Sequence, residues 1–120
     1  FITSMSRIQA QQDAQMVRAV LPLLTLTLLA EDESYGYELT ERLSAHGLDV
    51  TTGLVYPLLS RLERDGLVST RMVQSANGPP RKYFALTPAG MAALEAAQEQ
   101  WQVVSTAVRD ATEKEHPKND

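Results

Sequence analysis

Between Leu54 and Pro88 the hydrophobic period of the chain changes twice, and few folds accommodate both changes. Leu54, Leu58 and Leu62 recur every four residues, joined by Val55 and Leu59, which makes one buried stripe of a helix. Gly66 follows as a stop. The segments LVSTRMVQ and RKYFALT are β-branched and aromatic and bracket SANGPP. They read as two strands, with Asn77-Gly78 supplying the positive φ angles of a tight hairpin turn. Thr87-Pro88 places an N-cap before a proline at the first helical position, so a further helix starts there.

The segments on either side complete the order. A strongly apolar stretch from about Asp13 to Ala30 is helical, and Pro22 either kinks it or opens a second helix. Ser34 is placed to cap the next helix, roughly Tyr35 to Ala45, in which Tyr35, Leu39 and Leu43 form a stripe and Gly47 ends it. Thr51 or Thr52 caps the third helix, which runs to Asp65; Pro57 predicts a distorted first turn or a start nearer Val55. The last helix reaches about Asp110. The polar, proline-containing residues 111–120 are expected to be a disordered tail.

Helix, helix, helix, hairpin, helix is the layout of a winged helix-turn-helix, mostly α with a small β-hairpin. Residues 13–87 are expected to form that DNA-binding domain and residues 88–110 a dimerisation helix. Residues 1–12 are an N-terminal extension. Met5 is a plausible natural start, and residues 1–4 carry no weight in the expected fold for that reason.

Charge follows the same division. Residues 51–87 hold five cations and two acids, a net of +3, so the remainder carries −7 against a total of −4. The cations Arg61, Arg64, Arg71, Arg81 and Lys82 fall on the third helix and the hairpin, the two elements that face a duplex in this fold. The expected DNA-contacting set is Thr51, Thr52, Tyr56, Ser60, Arg61, Arg64, Arg81 and Lys82. Leu94, Ala97, Trp101, Val104 and Val108 are spaced 3, 4, 3, 4, the seam of a coiled-coil-like dimer contact.

SYGYEL (34–39), TGLVYPLLSRLERDGLV (52–68) and GPPRKYFALTPAG (78–90) resemble the PadR family of bacterial transcriptional regulators. The resemblance covers roughly Leu21 to Ala107. Its one departure is LVYP, where the family more often shows a threonine before Leu-Tyr. The single last helix is similar to the short subfamily. The resemblance implies a homodimeric, cytoplasmic repressor that binds a pseudo-palindromic operator. It also implies a planar aromatic effector held near Trp101; Val17, Leu21, Ala97 and Ser105 are expected by position to line the same slot, and a structural tryptophan filling the interface without a ligand is the alternative.

Other classes find less support. The chain has no cysteine, so disulfides and thiolate sites are excluded. His46 and His116 stand apart, and no HExxH, GxSxG or phosphate loop is present; neither an enzyme, a metal site nor a cofactor is expected. The run VLPLLTLTLLA is too short to span a bilayer, so no membrane partner is expected. A winged-helix module that binds protein and has lost DNA contact is the alternative, favoured by the acidic body. Acids or apolar residues at positions 81 and 82 would mark such a module.

Overall fold

The computed structural model describes residues 11–113. The tail beyond Glu113, with His116, and the first ten residues, with the Met5 start, lie outside the described residues. The elements are α1 (Ala14–Glu31), β1 (Ser34–Tyr35), α2 (Gly36–Ala45), α3 (Thr52–Arg64), β2 (Val68–Val73), β3 (Arg81–Leu86) and α4 (Pro88–Glu113).

α1 begins on Asp13, whose carboxylate accepts the Met16 N–H at 3.1 Å. It runs unbroken through Pro22, so neither a second helix nor a break occurs there. At 18 residues it extends well past the apolar run read from sequence and is long and apolar enough to cross a membrane. Here Val17, Leu21, Leu26, Leu28 and Leu29 are buried in a single core with Leu39, Leu43, Val55, Leu59, Phe84 and Leu94. Its C-terminal end is closed by Arg42 of α2, whose guanidinium donates to the Leu28 carbonyl at 2.8 Å and the Asp32 carbonyl at 3.1 Å.

Arg42 also donates to the Ser34 hydroxyl. Ser34 is therefore not the cap of α2. It lies buried in β1, paired with Phe84, while Tyr35 pairs with Tyr83 and occupies the N-cap position without a side-chain bond. The hairpin becomes a three-stranded antiparallel sheet in the order β1-β3-β2. Two residues are too short a strand to show a period of two, so nothing in the sequence marked them.

α2 and α3 both end on glycines in the left-handed region. Gly47 has φ 92° and Gly66 φ 76°. In each case the following N–H reaches back to the helix, Leu48 to the Leu43 carbonyl and Leu67 to the Leu62 carbonyl at 2.9 Å. α3 starts at Thr52 and runs through Pro57, rather than starting near Val55. Its first turn is tight: the N–H groups of Leu54 and Val55 both point at the Thr51 carbonyl.

The hairpin differs most from expectation. Neither Asn77 nor Gly78 takes a positive φ, and residues 74–80 form a seven-residue loop. A two-residue turn at Asn77-Gly78 needs the N–H of residue 79 as its donor, and Pro79 has none. The ladder ends instead at Val73 opposite Arg81, and continues with Met72 opposite Lys82 and Thr70 opposite Phe84. That register is one residue away from the one a two-residue turn would impose.

α4 opens as read: Thr87 accepts the Gly90 N–H at 3.0 Å and its hydroxyl donates to the Gly66 carbonyl at 2.7 Å. Gly90 is required there, because a Cβ would collide with the Leu67 carbonyl. The helix continues to Glu113, three residues past the expected end.

Candidate nucleic-acid interface

α3 divides cleanly. Val55, Leu58, Leu59 and Leu62 are buried, while Tyr56, Ser60, Arg61 and Arg64 are exposed together on the opposite side. Thr51 is exposed at the N-cap and Thr52 is half-buried at the first turn. Tyr56 serves two purposes. Its ring lies against Gly36 so closely that a Cβ there would overlap it, yet the residue stays 45% exposed. It locks α2 to α3 and presents one edge outward. Arg61 and Arg64 have no acidic partner among the described residues, so both cations are available on this face.

The cations of the hairpin strands are not equivalent. Side chains alternate along a strand. Arg81 shares one face with Tyr83 and, across the ladder, Arg71. Lys82 shares the other with buried Phe84 and with Thr70 and Met72. On the outer face Arg81 sits 4.5 Å above the Tyr35 ring and Arg71 lies 5.6 Å from the Tyr83 ring, with the two tyrosines edge to face at 5.3 Å. Arg71 also grips both carboxylate oxygens of Glu33. The guanidinium's hydrogen bonds hold the Glu33 carboxyl below the usual carboxylate range, opposed by desolvation and helped by the Arg71 charge.

Lys82, on the Phe84 face, is turned to α3 but stays exposed. Its ammonium lies 3.1 Å from Glu63 Oε1 on α3, and Thr70 Oγ1 donates to Glu63 Oε2 at 3.2 Å. Of the two adjacent cations expected to face a duplex, the structure places Arg81 on the outer face and engages Lys82 with an acid. No spacing in the sequence joins Glu63 to Lys82, nineteen positions apart. Gln12 carries no sequence signal either. Its amide bridges the turn after α2, donating to the Gly47 carbonyl at 2.6 Å and accepting the Asp49 N–H at 2.9 Å.

Away from this face, the second half of α4 leaves the body. Leu94 is buried in the core of its own chain, whereas Trp101, Val104 and Val108 are 48%, 51% and 58% exposed. A groove of about 460 Å³ runs between α1 and α4, with Met16, Val20 and Leu23 on one wall and Ala97, Trp101 and Val104 on the other. Val17 and Leu21, expected on this groove, belong to the core instead: one position along a helix is a 100° rotation, which turns them away from Met16 and Val20. Ser105, next to Val104 but rotated 100° around α4, is not among the groove-lining residues, and its hydroxyl points at the Gln102 carbonyl.

Three packed helices, a short strand and a β-hairpin projecting beside the third helix define a winged helix-turn-helix. The profile of the transcriptional regulator PadR-like family matches residues 25–96, and the chain belongs to that family. It is 43% identical over 77 residues to transcriptional regulator Rv3488 of Mycobacterium tuberculosis, covering 64% of this chain and 71% of that one. A PadR-like transcriptional regulator from Bacillus cereus superposes with a TM-score of 0.75 at 37% identity, over 82% of this chain and 97% of the other. PadR of Bacillus subtilis, solved in complex with operator DNA, shares the fold with a TM-score of 0.61 at 24% identity, over 66% of this chain and 45% of its own.

Proposed function

We propose that the chain is a homodimeric transcriptional repressor that binds duplex DNA through the exposed face of α3 and the outer face of the wing. The observation behind this reading is the grouping of Tyr56, Ser60, Arg61 and Arg64 on the exposed face of α3, with Arg81 on the outer face of the wing. A helix of this kind fits the major groove with its N-terminal half reading base edges, and flanking cations hold the phosphates. Thr51, Thr52, Tyr56 and Ser60 are assigned to base discrimination, and Arg61, Arg64 and Arg81 to the backbone. Family membership and the operator complex of the Bacillus subtilis relative support the assignment.

A dimer is supported by the shape of α4. Its 26 residues extend about 39 Å, and the half beyond Leu94 carries Trp101, nearly half exposed, and Val103, Val104 and Val108, more than half exposed. A two-fold dimer presents two α3 helices, so the operator is pseudo-palindromic. The α1–α4 groove lies within the range of small-ligand sites and is almost wholly apolar. A planar aromatic effector stacked on Trp101 would bias one dimer geometry over another and release the operator.

The test is a titration against duplex from the protein's own promoter region at several salt concentrations. Affinity falls linearly in log-log form, and Arg81→Ala flattens the slope for all sequences while Tyr56→Ala or Ser60→Ala changes discrimination between them. Binding without a salt slope would favour a protein-binding winged helix instead. In the same assay planar dyes quench Trp101 fluorescence and weaken operator binding; a panel that changes neither removes the effector site.

A further inference from the structure

The wing contains a charge that the fold has already answered. We infer that Glu63 is a positioning residue that holds Lys82 away from DNA phosphate, fixing the wing against α3 and restraining indiscriminate duplex binding. This rests on the DNA-binding reading above and assigns different tasks to the two neighbouring cations of the wing.

The geometry supports it in three ways. Both oxygens of Glu63 are used, one by Lys82 Nζ at 3.1 Å and one by Thr70 Oγ1 at 3.2 Å. These partners come from β3 and β2, so one carboxylate on α3 ties both strands of the wing. The second point is orientation. Lys82 lies on the same face as Phe84, 5.5 Å from its ring, and this face turns toward α3 rather than outward. Third, Arg81 keeps no acidic partner among the described residues, although it is the adjacent residue.

An exposed ion pair alone is weak, because ordering two long side chains and screening by salt offset most of the attraction. Here the carboxylate is oriented by Thr70, and the carboxylate side of the pair is only 38% exposed. A phosphate competing for Lys82 must also leave Glu63 negative beside the polyanion. Held in this way, Lys82 releases no counterion on DNA binding, and Glu63 discourages close approach of any backbone that does not fit between α3 and the wing.

The experiment uses the full chain and three variants, Glu63→Gln, Lys82→Gln and the double variant, against a fluorescent duplex of unrelated sequence. Wild type shows a salt slope, and Lys82→Gln reproduces it. Glu63→Gln releases the ammonium and steepens the slope by about 0.9, one phosphate's worth; across a fourfold rise in salt this is roughly a threefold extra loss of affinity. The double variant returns to the wild-type slope. A Lys82→Gln slope shallower than wild type overturns the inference, because Lys82 would already be on phosphate. A gain that survives in the double variant overturns it as well, since Glu63 would then act by simple repulsion. Thermal unfolding of the same four proteins without DNA reads the contact separately. Coupling between positions 63 and 82 is expected, and additive effects would discard the lock whatever the duplex does. Wild type without a salt slope would instead remove the DNA-binding reading, leaving the unfolding cycle to judge the Glu63–Lys82 contact.

Discussion

Thr25 shows how closely single residues are constrained in the core. It is fully buried in α1 and its hydroxyl has no partner among the described residues. A buried hydroxyl without a hydrogen bond keeps its desolvation cost and gains nothing in return. Thr25→Val preserves shape and removes that cost, so the urea midpoint should rise by the equivalent of about 1 kcal/mol; a lower midpoint would reveal an unseen partner. Glu33 makes the opposite case at the surface. Its folded carboxyl is depressed by Arg71, so the contribution of the pair is complete above the unfolded carboxylate value and disappears as pH falls through the lower folded one. The Glu33 carboxyl resonance is therefore expected to titrate below the ordinary carboxylate range, returning to it in Arg71→Ala. Identical midpoints in the two proteins would exclude the clamp.

Among the elements, α4 divides into a half that belongs to the monomer and a half that does not. Leu94 anchors the first half in the core, while Val104 and Val108 lie on the second with more than half their surface open. Read as a seam, the 3-4 spacing from Leu94 to Val108 mixes one intramolecular contact with several free ones. Only the free ones are proposed for the partner. Val104→Glu or Val108→Glu should shift sedimentation toward monomer while helical content is kept; a dimer of unchanged affinity would place the interface elsewhere. α3 offers a second case. Its stripe of Leu54, Leu58 and Leu62 was evident from spacing, and so was an opposite face with Thr52, Tyr56, Ser60, Glu63 and Arg64, although not that Glu63 turns to Lys82 of the wing. Spacing did not reveal that Pro57 is accommodated inside the helix, because the neighbouring core contacts of Val55, Leu58 and Leu59 outweigh one missing donor.

The molecule as a whole is long for its size. Its radius of gyration is 18.0 Å, whereas a compact chain of this length has about 14 Å, and the difference comes from a helix that projects with apolar residues on it. The proposed dimer would cover that helix and make stability depend on association: the thermal midpoint should rise with protein concentration, and a constant midpoint across a wide range would argue for a self-sufficient monomer. The order of the four helices and the hairpin, the two glycine stops, the Thr87-Pro88 start and the two faces of α3 were legible in sequence, because each depends on residues within a few positions of one another. The short strand β1 was not legible, since Ser34 and Tyr35 become a strand only by pairing with Phe84 and Tyr83. Nor was the position of the wing cations. Pro79 denies the tight turn its donor, the ladder settles one residue over, and that register puts Thr70 and Lys82 on one face beneath Glu63 while Arg81 faces outward. Local sequence determined which residues are helical and which are apolar. Contacts between segments far apart in the chain decided which of two adjacent cations is free, because charge pairing depends on where side chains meet in space.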